Sequence, residues 1–340
     1  MGQDLRSGMV TMGDVAKLSG VSKMTVSNVI NDRAGVSDEV RRRVLEAIRE
    51  SGYRVNVSAR TLRSGRTGVI GLAVPEIDRP YFGQLAAHVI DEARGRGFHV
   101  AIEQTGAAAA GEIDAISHSS TLQFDGLILS AVGIDPQDSR LTGGDYPIVM
   151  LGEQDFAARF DHVAMPNEEG AKAATTHLID RGCRRIAMVT GESLDGVNVV
   201  TRRYRGYLAG LSERGLAPDP ALRFAVSGMT LEGGREAAHR LVDSGLEVDG
   251  VVAVSDTVAQ GVFRGLADRG VRVPDDIRLV GYDDIPEAAY MVPSLSTVAP
   301  DHRWMAAKAV ELVTARIQDP SRPAGEHTAP FELVVRESTR

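Results

Sequence analysis

The chain has 340 residues, 43% of them apolar and 25% charged, with a net charge of -8 and a single cysteine, Cys183. That composition excludes fibrous, low-complexity and disulfide-built secreted classes, and no apolar run nears the roughly 20 residues of a membrane span. Charge is unevenly placed: residues 1–66 hold 12 Lys and Arg against 7 Asp and Glu, leaving 26 against 39 elsewhere, so an acidic body carries one basic end.

In chain order, the first predicted element is a short helix from Thr11 to about Ser19. Thr11 can cap it, and Asp14 in its first turn suits the positive end of the helix dipole. Gly20 allows a sharp turn, and Ser22 can cap a second helix over roughly Lys23 to Asn31. Val15, Ala16, Val21, Val26, Val29 and Ile30 would share a small core. A third helix from Ser37, stopping at Gly52, would add Val40, Val44, Leu45 and Ile48. A solvated helical bundle would carry the same charge. The glycine turn and the hydroxyls of Ser22, Thr25 and Ser27 point instead to a DNA backbone.

Val10 to Ala16, Gly20-Val21-Ser22, Thr25-Val26-Ser27 and Asn31 together resemble the amino-terminal signature of the LacI/GalR transcriptional regulators. The resemblance continues through Arg54 to Leu62, Val280-Gly281-Tyr282-Asp283-Asp284 and Pro293 to Val298, and so covers nearly the whole chain. It implies a helix-turn-helix DNA-binding domain at 1–53, a hinge at 54–67, and an effector-binding and dimerisation domain at 68–340. Within that last domain the amino-terminal lobe would take about 68–166 and 299–326, and the carboxy-terminal lobe about 167–298 and 327–340. The implied function is that of a repressor: double-stranded operator DNA bound by a homodimer, with affinity set by a small-molecule effector, by default a carbohydrate or sugar derivative with a nucleobase or sugar acid as alternatives, and without a cofactor.

The implied base readers are Lys23, a donor to guanine, and Met24, an apolar contact for a thymine methyl. Thr11, Ser22, Thr25, Ser27 and Asn31 suit phosphates. Asn28 stands where an arginine is frequent in the family, and asparagine prefers adenine, so the operator is expected to differ from a typical relative's. Residues 54–67 show no continuous apolar face and by themselves read as a polar linker. The resemblance implies more: Asn56, Ala59 and Leu62 would form a helix paired across a dimer on DNA, with Leu62 wedged into the minor groove.

Beyond Gly68, apolar runs alternate with amphipathic stretches. Strands are predicted at Val69 to Val74, Phe98 to Ile102, Gly126 to Ser130, Ile148 to Leu151, Arg185 to Thr190, Leu222 to Val226, Gly250 to Val254 and Ile277 to Gly281. Helices are predicted from Phe82 to Gly95 and Ile113 to Leu122, and from near Asn167, Thr201, Leu231 and Asp256. The fold class is therefore α/β, a small all-α head followed by parallel sheets in two lobes, and the resemblance implies lobes like those of periplasmic binding proteins.

Parallel lobes bind ligands where the carboxyl ends of their strands face a cleft. Tyr81, Phe82 and Ser130 follow strands of one lobe. Arg203, Asp283 and Ser255 come from the other, and the resemblance implies that Arg203 and Asp283 chelate sugar hydroxyls. A salt bridge closing the cleft is the alternative for that pair. Gly152 stands where many relatives have aspartate, Ser255 replaces a frequent asparagine, and Gly228 lies near a position often aromatic; the stacking ring would then come from Tyr81, Phe82, Phe156 or Trp304.

No nucleophile elbow, phosphate loop or zinc-protease helix is present, and His88, His118, His177, His239 and His302 lack ligand spacing, so neither catalysis nor a metal is expected. The single cysteine and the absence of a signal-peptide core in Met1 to Thr11 suit a cytoplasmic, nucleoid-associated protein. The helices near Phe82 to Arg96 and Ile113 to Leu122 are the expected dimer surfaces, and without a leucine heptad tail a dimer is expected rather than a tetramer.

Overall fold

The computed structural model describes residues 10–30, 33–53, 66–141, 146–154, 156 and 159–340. The chain divides into two compact units, the break falling between Thr67 and Gly68.

The first unit contains α1 (Met12–Ser19), α2 (Lys23–Ile30) and α3 (Asp38–Ser51). Thr11 and Asp14 form a reciprocal capping box on α1, left-handed Gly20 ends it, and Ser37 and Gly52 bound α3. Val15, Val26 and Val44 are fully buried where the three helices meet, and Arg43 Nη2 donates to Ser19 O at 3.0 Å, tying α3 to the end of α1. One expected core residue is not there. Leu45 is 45% exposed, because the buried stripe of α3 runs through Val40, Val44, Ala47 and Ile48, and Leu45 lies a helical step off it. Ala47 and Tyr53 take its place in the core.

The second unit is built on two six-stranded sheets. The first is assembled from β1 (Val69–Val74), β2 (His99–Gln104), β3 (Gly126–Ser130), β4 (Ile148–Leu151), β5 (Asp161–Ala164) and β11 (Glu326–Thr328), in the order β11-β5-β4-β3-β1-β2 and parallel throughout. Into it fall α4 (Pro80–Gly95), α5 (Ala109–Thr121) and, from much later in the chain, α10 (His302–Gln318), which packs on α4. The second sheet takes β6 (Ile186–Gly191), β7 (Arg223–Val226), β8 (Gly250–Ala253), β9 (Arg278–Tyr282), β10 (Ser296–Pro300) and β12 (Phe331–Val334), ordered β12-β10-β9-β8-β6-β7. Its helices are α6 (Asn167–Asp180), α7 (Val199–Glu213), α8 (Leu231–Asp243) and α9 (Asp256–Asp268). The chain passes between sheets after β5, after β10 and between β11 and β12.

Strands β1, β3, β4, β6 and β8 are buried along almost their whole length, as central parallel strands covered by helices on both faces must be, which is why they read as continuous apolar runs. Four strands escaped the sequence reading. Asp161 sits fully buried in β5, its carboxylate held by Arg316 Nε at 2.9 Å and Nη2 at 2.8 Å, so a charged residue hides the strand from any hydropathy pattern. β10 opens on Ser296 and Thr297 and ends on Pro300, β11 has three residues, β12 is only partly buried, and the antiparallel pairing of β12 with β10 makes the second sheet mixed rather than purely parallel.

Candidate functional site

On the first unit, Ser22, Lys23 and Met24 open α2 on an exposed face, Met24 with 72% of its surface free. The Lys23 stem lies over α1: a Cβ at Gly13 would stand 3.0 Å from Lys23 Cε, so glycine there leaves the lysine its place. Ser22 Oγ accepts the Thr25 N–H at 3.1 Å and pairs with Thr25 Oγ1 at 2.9 Å. Thr11 Oγ1 donates to Asp14 Oδ2 at 2.7 Å. These hydroxyls therefore cap helices in the free chain, and a phosphate would be received at helix starts whose geometry is already set. Ser27 and Asn28 are half-buried on α2. Asn31, Asn56, Ala59 and Leu62 lie outside the described residues.

In the second unit, a cavity of about 330 Å³ lies between the carboxyl ends of the two sheets. Tyr81, Phe82 and Ser130 line it from the first sheet's side and Arg203, Ser255 and Asp283 from the second, so all six sequence-predicted positions come together. Tyr81 and Phe82 meet edge to face, 4.8 Å between centroids. Ser255 caps α9, accepting the Val258 N–H at 3.3 Å, and keeps its hydroxyl proton.

Arg203 lies on the first turns of α7, not on a loop. Its Nε donates to Asn167 Oδ1 at 2.7 Å, Nη1 to Val254 O, and Nη2 to Asp283 Oδ1 at 3.0 Å and Met165 Sδ at 3.3 Å. The guanidinium also sits 3.5 Å from the centroid of Tyr282. Burial raises the Asp283 carboxyl to a pKa of about 6 despite Arg203, which lowers it, and Glu153 adds to the rise. Asp283 adopts φ +110°, a backbone conformation that side chains rarely take, and is held there by its N–H donating to Val298 O at 2.9 Å.

Both partners of this ion pair belong to the second sheet's lobe, so the bridge shapes one wall and does not close the cleft. The lobes are joined by other groups. Glu153, just beyond β4, accepts the Asn167 amide at 2.9 Å, and its carbonyl accepts Arg202 Nε at 3.2 Å and Nη2 at 3.0 Å. Sequence reasoning passes over Glu153, in the connection from β4 to β5, and Asn167, at the chain's first crossing, because no motif marks either as a site residue.

Two proposed stacking rings are placed elsewhere. Phe156 is buried against Phe160 and His162, and Trp304 lies under Lys308 on α10. Methionines fill much of the wall instead: Met165, Met229 and Met305. Gly152, at φ +127°, is excluded from carrying a side chain by Ala131 O, which a Cβ would meet at 2.7 Å. The backbone itself forms the wall at that point.

Among the described residues no helix is long and apolar enough to cross a membrane, and no cluster of side chains could hold a metal ion.

Comparisons with known proteins converge. Residues 11–56 match the family described as bacterial regulatory proteins, lacI family, and residues 175–339 match the periplasmic binding protein-like domain. The chain is 32% identical over 333 residues to the ribose operon repressor of Halalkalibacterium halodurans, covering 98% of each. A putative LacI-family transcriptional regulator from Sanguibacter keddieii is 40% identical, with a TM-score of 0.74 over 81% of this chain and 99% of that one. The lac repressor dimer bound to operator and the anti-inducer ONPF superposes with a TM-score of 0.85 at 25% identity, over 98% of this chain and 99% of that one.

Proposed function

The chain belongs to the LacI family of bacterial regulatory proteins and is a transcriptional regulator, not an enzyme; on that footing we propose that it is a homodimeric repressor whose operator affinity is set by a saccharide in the interlobe cavity. The observation that carries the reading is the convergence of Tyr81, Phe82, Ser130, Arg203, Ser255 and Asp283 on one cavity in a chain that also bears a helix-turn-helix head.

Lys23 and Met24 read base edges at the start of α2, and Thr11, Ser22, Thr25 and Ser27 grip phosphates. Asn31 joins them, and the hinge supplies Asn56, Ala59 and the wedging Leu62. Two heads side by side on a pseudo-palindromic site supply the affinity that one lacks. The protein works in the cytoplasm on nucleoid DNA. The proposed domain boundaries fall at 53 and 67.

Self-association uses α4 and α5 and, on the other lobe, an apolar patch around Tyr290 and Val292, which are 86% and 96% exposed beside Pro286 and Met291. Effector binding acts on DNA because it favours one arrangement of the lobes, and with it one spacing of the paired hinges. The test is retention of promoter fragments from around the protein's own gene by the full-length chain, with and without sugars. Selective retention that a sugar alters supports the reading; indifference to every fragment contradicts it.

A further inference from the structure

The cavity's charges narrow what it can hold, on the reading just given that it is the effector site. Both guanidiniums on its wall already have a carboxylate partner. Arg79 is paired with Glu76, and Arg203 spends four of its five N–H groups on Asn167, Val254, Met165 and Asp283.

The acceptors are not committed in the same way. Glu153 and Glu192 line the cavity with no ion pair among the described residues, and Glu153 is answered only by the neutral Asn167 amide. Asp283 is more than nine-tenths buried, yet only its Oδ1 is engaged, and Gln154 Oε1 on the same wall is buried without a donor among the described residues. Two carboxylates outside any ion pair, a buried Gln154 oxygen in want of a donor and no guanidinium outside an ion pair describe a site complementary to hydroxyl groups. A ligand's own anion would meet four carboxylates, Glu76, Glu153, Glu192 and Asp283, against two guanidiniums already paired with two of them.

We propose that the cavity takes an uncharged, hydroxyl-rich saccharide and rejects the phosphorylated and carboxylated forms of the same sugar, with Glu153 and Glu192 setting that discrimination. A regulator so built reads the free sugar, ahead of the phosphorylating or oxidising class of reaction that consumes it.

The experiment is calorimetric titration of the full-length protein with matched sets: glucose, glucose 6-phosphate and glucuronate; galactose, galactose 6-phosphate and galacturonate; ribose and ribose 5-phosphate. In whichever set binds, the free sugar is expected to bind at least about 100-fold tighter than its anionic forms. The double substitution Glu153→Gln and Glu192→Gln, which keeps an acceptor oxygen for Asn167, is expected to shrink that ratio about tenfold, with an unliganded melting curve checking that the variant folds. An anionic form binding as tightly as its parent overturns this inference and leaves an effector-controlled repressor standing. An unchanged ratio in a folded double variant overturns the assignment to these two residues. Binding by no member of any set contradicts the saccharide reading itself.

Discussion

Glu153 and Asn167 connect the two lobes directly: Oε1 of the carboxylate accepts the Asn167 amide at 2.9 Å, and the same asparagine's carbonyl oxygen receives Arg203 Nε at 2.7 Å. A ligand at Arg203 therefore acts on a group already wired to the opposite lobe.

Asn167→Ala should break that connection and leave the Arg203 Nε–H buried without an acceptor. A loss of about 2–3 kcal/mol in unfolding free energy of the 68–340 body is expected, because a buried charged donor loses its partner. Urea denaturation measures it. Saccharide affinity should fall with it, and an unaltered affinity would show that the Asn167 link does not position Arg203.

Asp283 provides a pH signature. Its folded pKa of about 6 lies above the ordinary carboxylate value, chiefly through burial, so the stability associated with the protonated form is complete below about 4 and is lost as pH rises through about 6. A sugar hydroxyl needs the ionised form as its acceptor. Affinity should therefore climb from pH 5 to pH 7 and level off above, while Asp283→Asn should bind weakly, by about 2 kcal/mol or more, with a flat profile. A wild-type profile as flat as that of the variant would remove Asp283 from the contact.

In the head, Lys23→Ala should lower the preference for operator over scrambled duplex, by about 1–3 kcal/mol if one bidentate base contact is lost. Ser27→Ala should weaken both duplexes alike. Anisotropy titrations at fixed salt separate the two outcomes. Equal losses on both duplexes for both variants would undo the division between base and phosphate contacts.

For the dimer, Tyr290→Asp places a charge in the exposed apolar patch beside Val292 and Met291. Light scattering is expected to show a dimer for the wild type and a shift toward monomer for the variant. A wild-type tetramer, or an unmoved dimer in the variant, would place the interface elsewhere.

How far the sequence was legible depended on how local each signal was. Capping by Thr11 and Ser37, the turn at Gly20 and the runs of β1, β3, β4, β6 and β8 follow from neighbouring residues, and these elements appear where they were expected within a residue or two. Strand β5 did not, since Asp161 is acceptable there only because Arg316 and Arg322 arrive from far along the chain. Leu45 misled because apolar character was read without its angle on the helix. At the site, Arg203 and Asp283 were marked by motifs, whereas Glu153 and Asn167 matter through one another and through the meeting of two lobes. No spacing in the sequence announces such a pair.

The coupling of cavity to DNA is tested most directly by operator affinity with and without a saturating sugar, measured side by side for the wild type and Asp283→Ala. The wild type should change its operator affinity at least about tenfold on adding sugar, a coupling of roughly 1.4 kcal/mol, while the variant binds operator equally well in its presence and absence. An operator affinity that the sugar leaves untouched in the wild type, or shifts equally in the variant, would contradict the account.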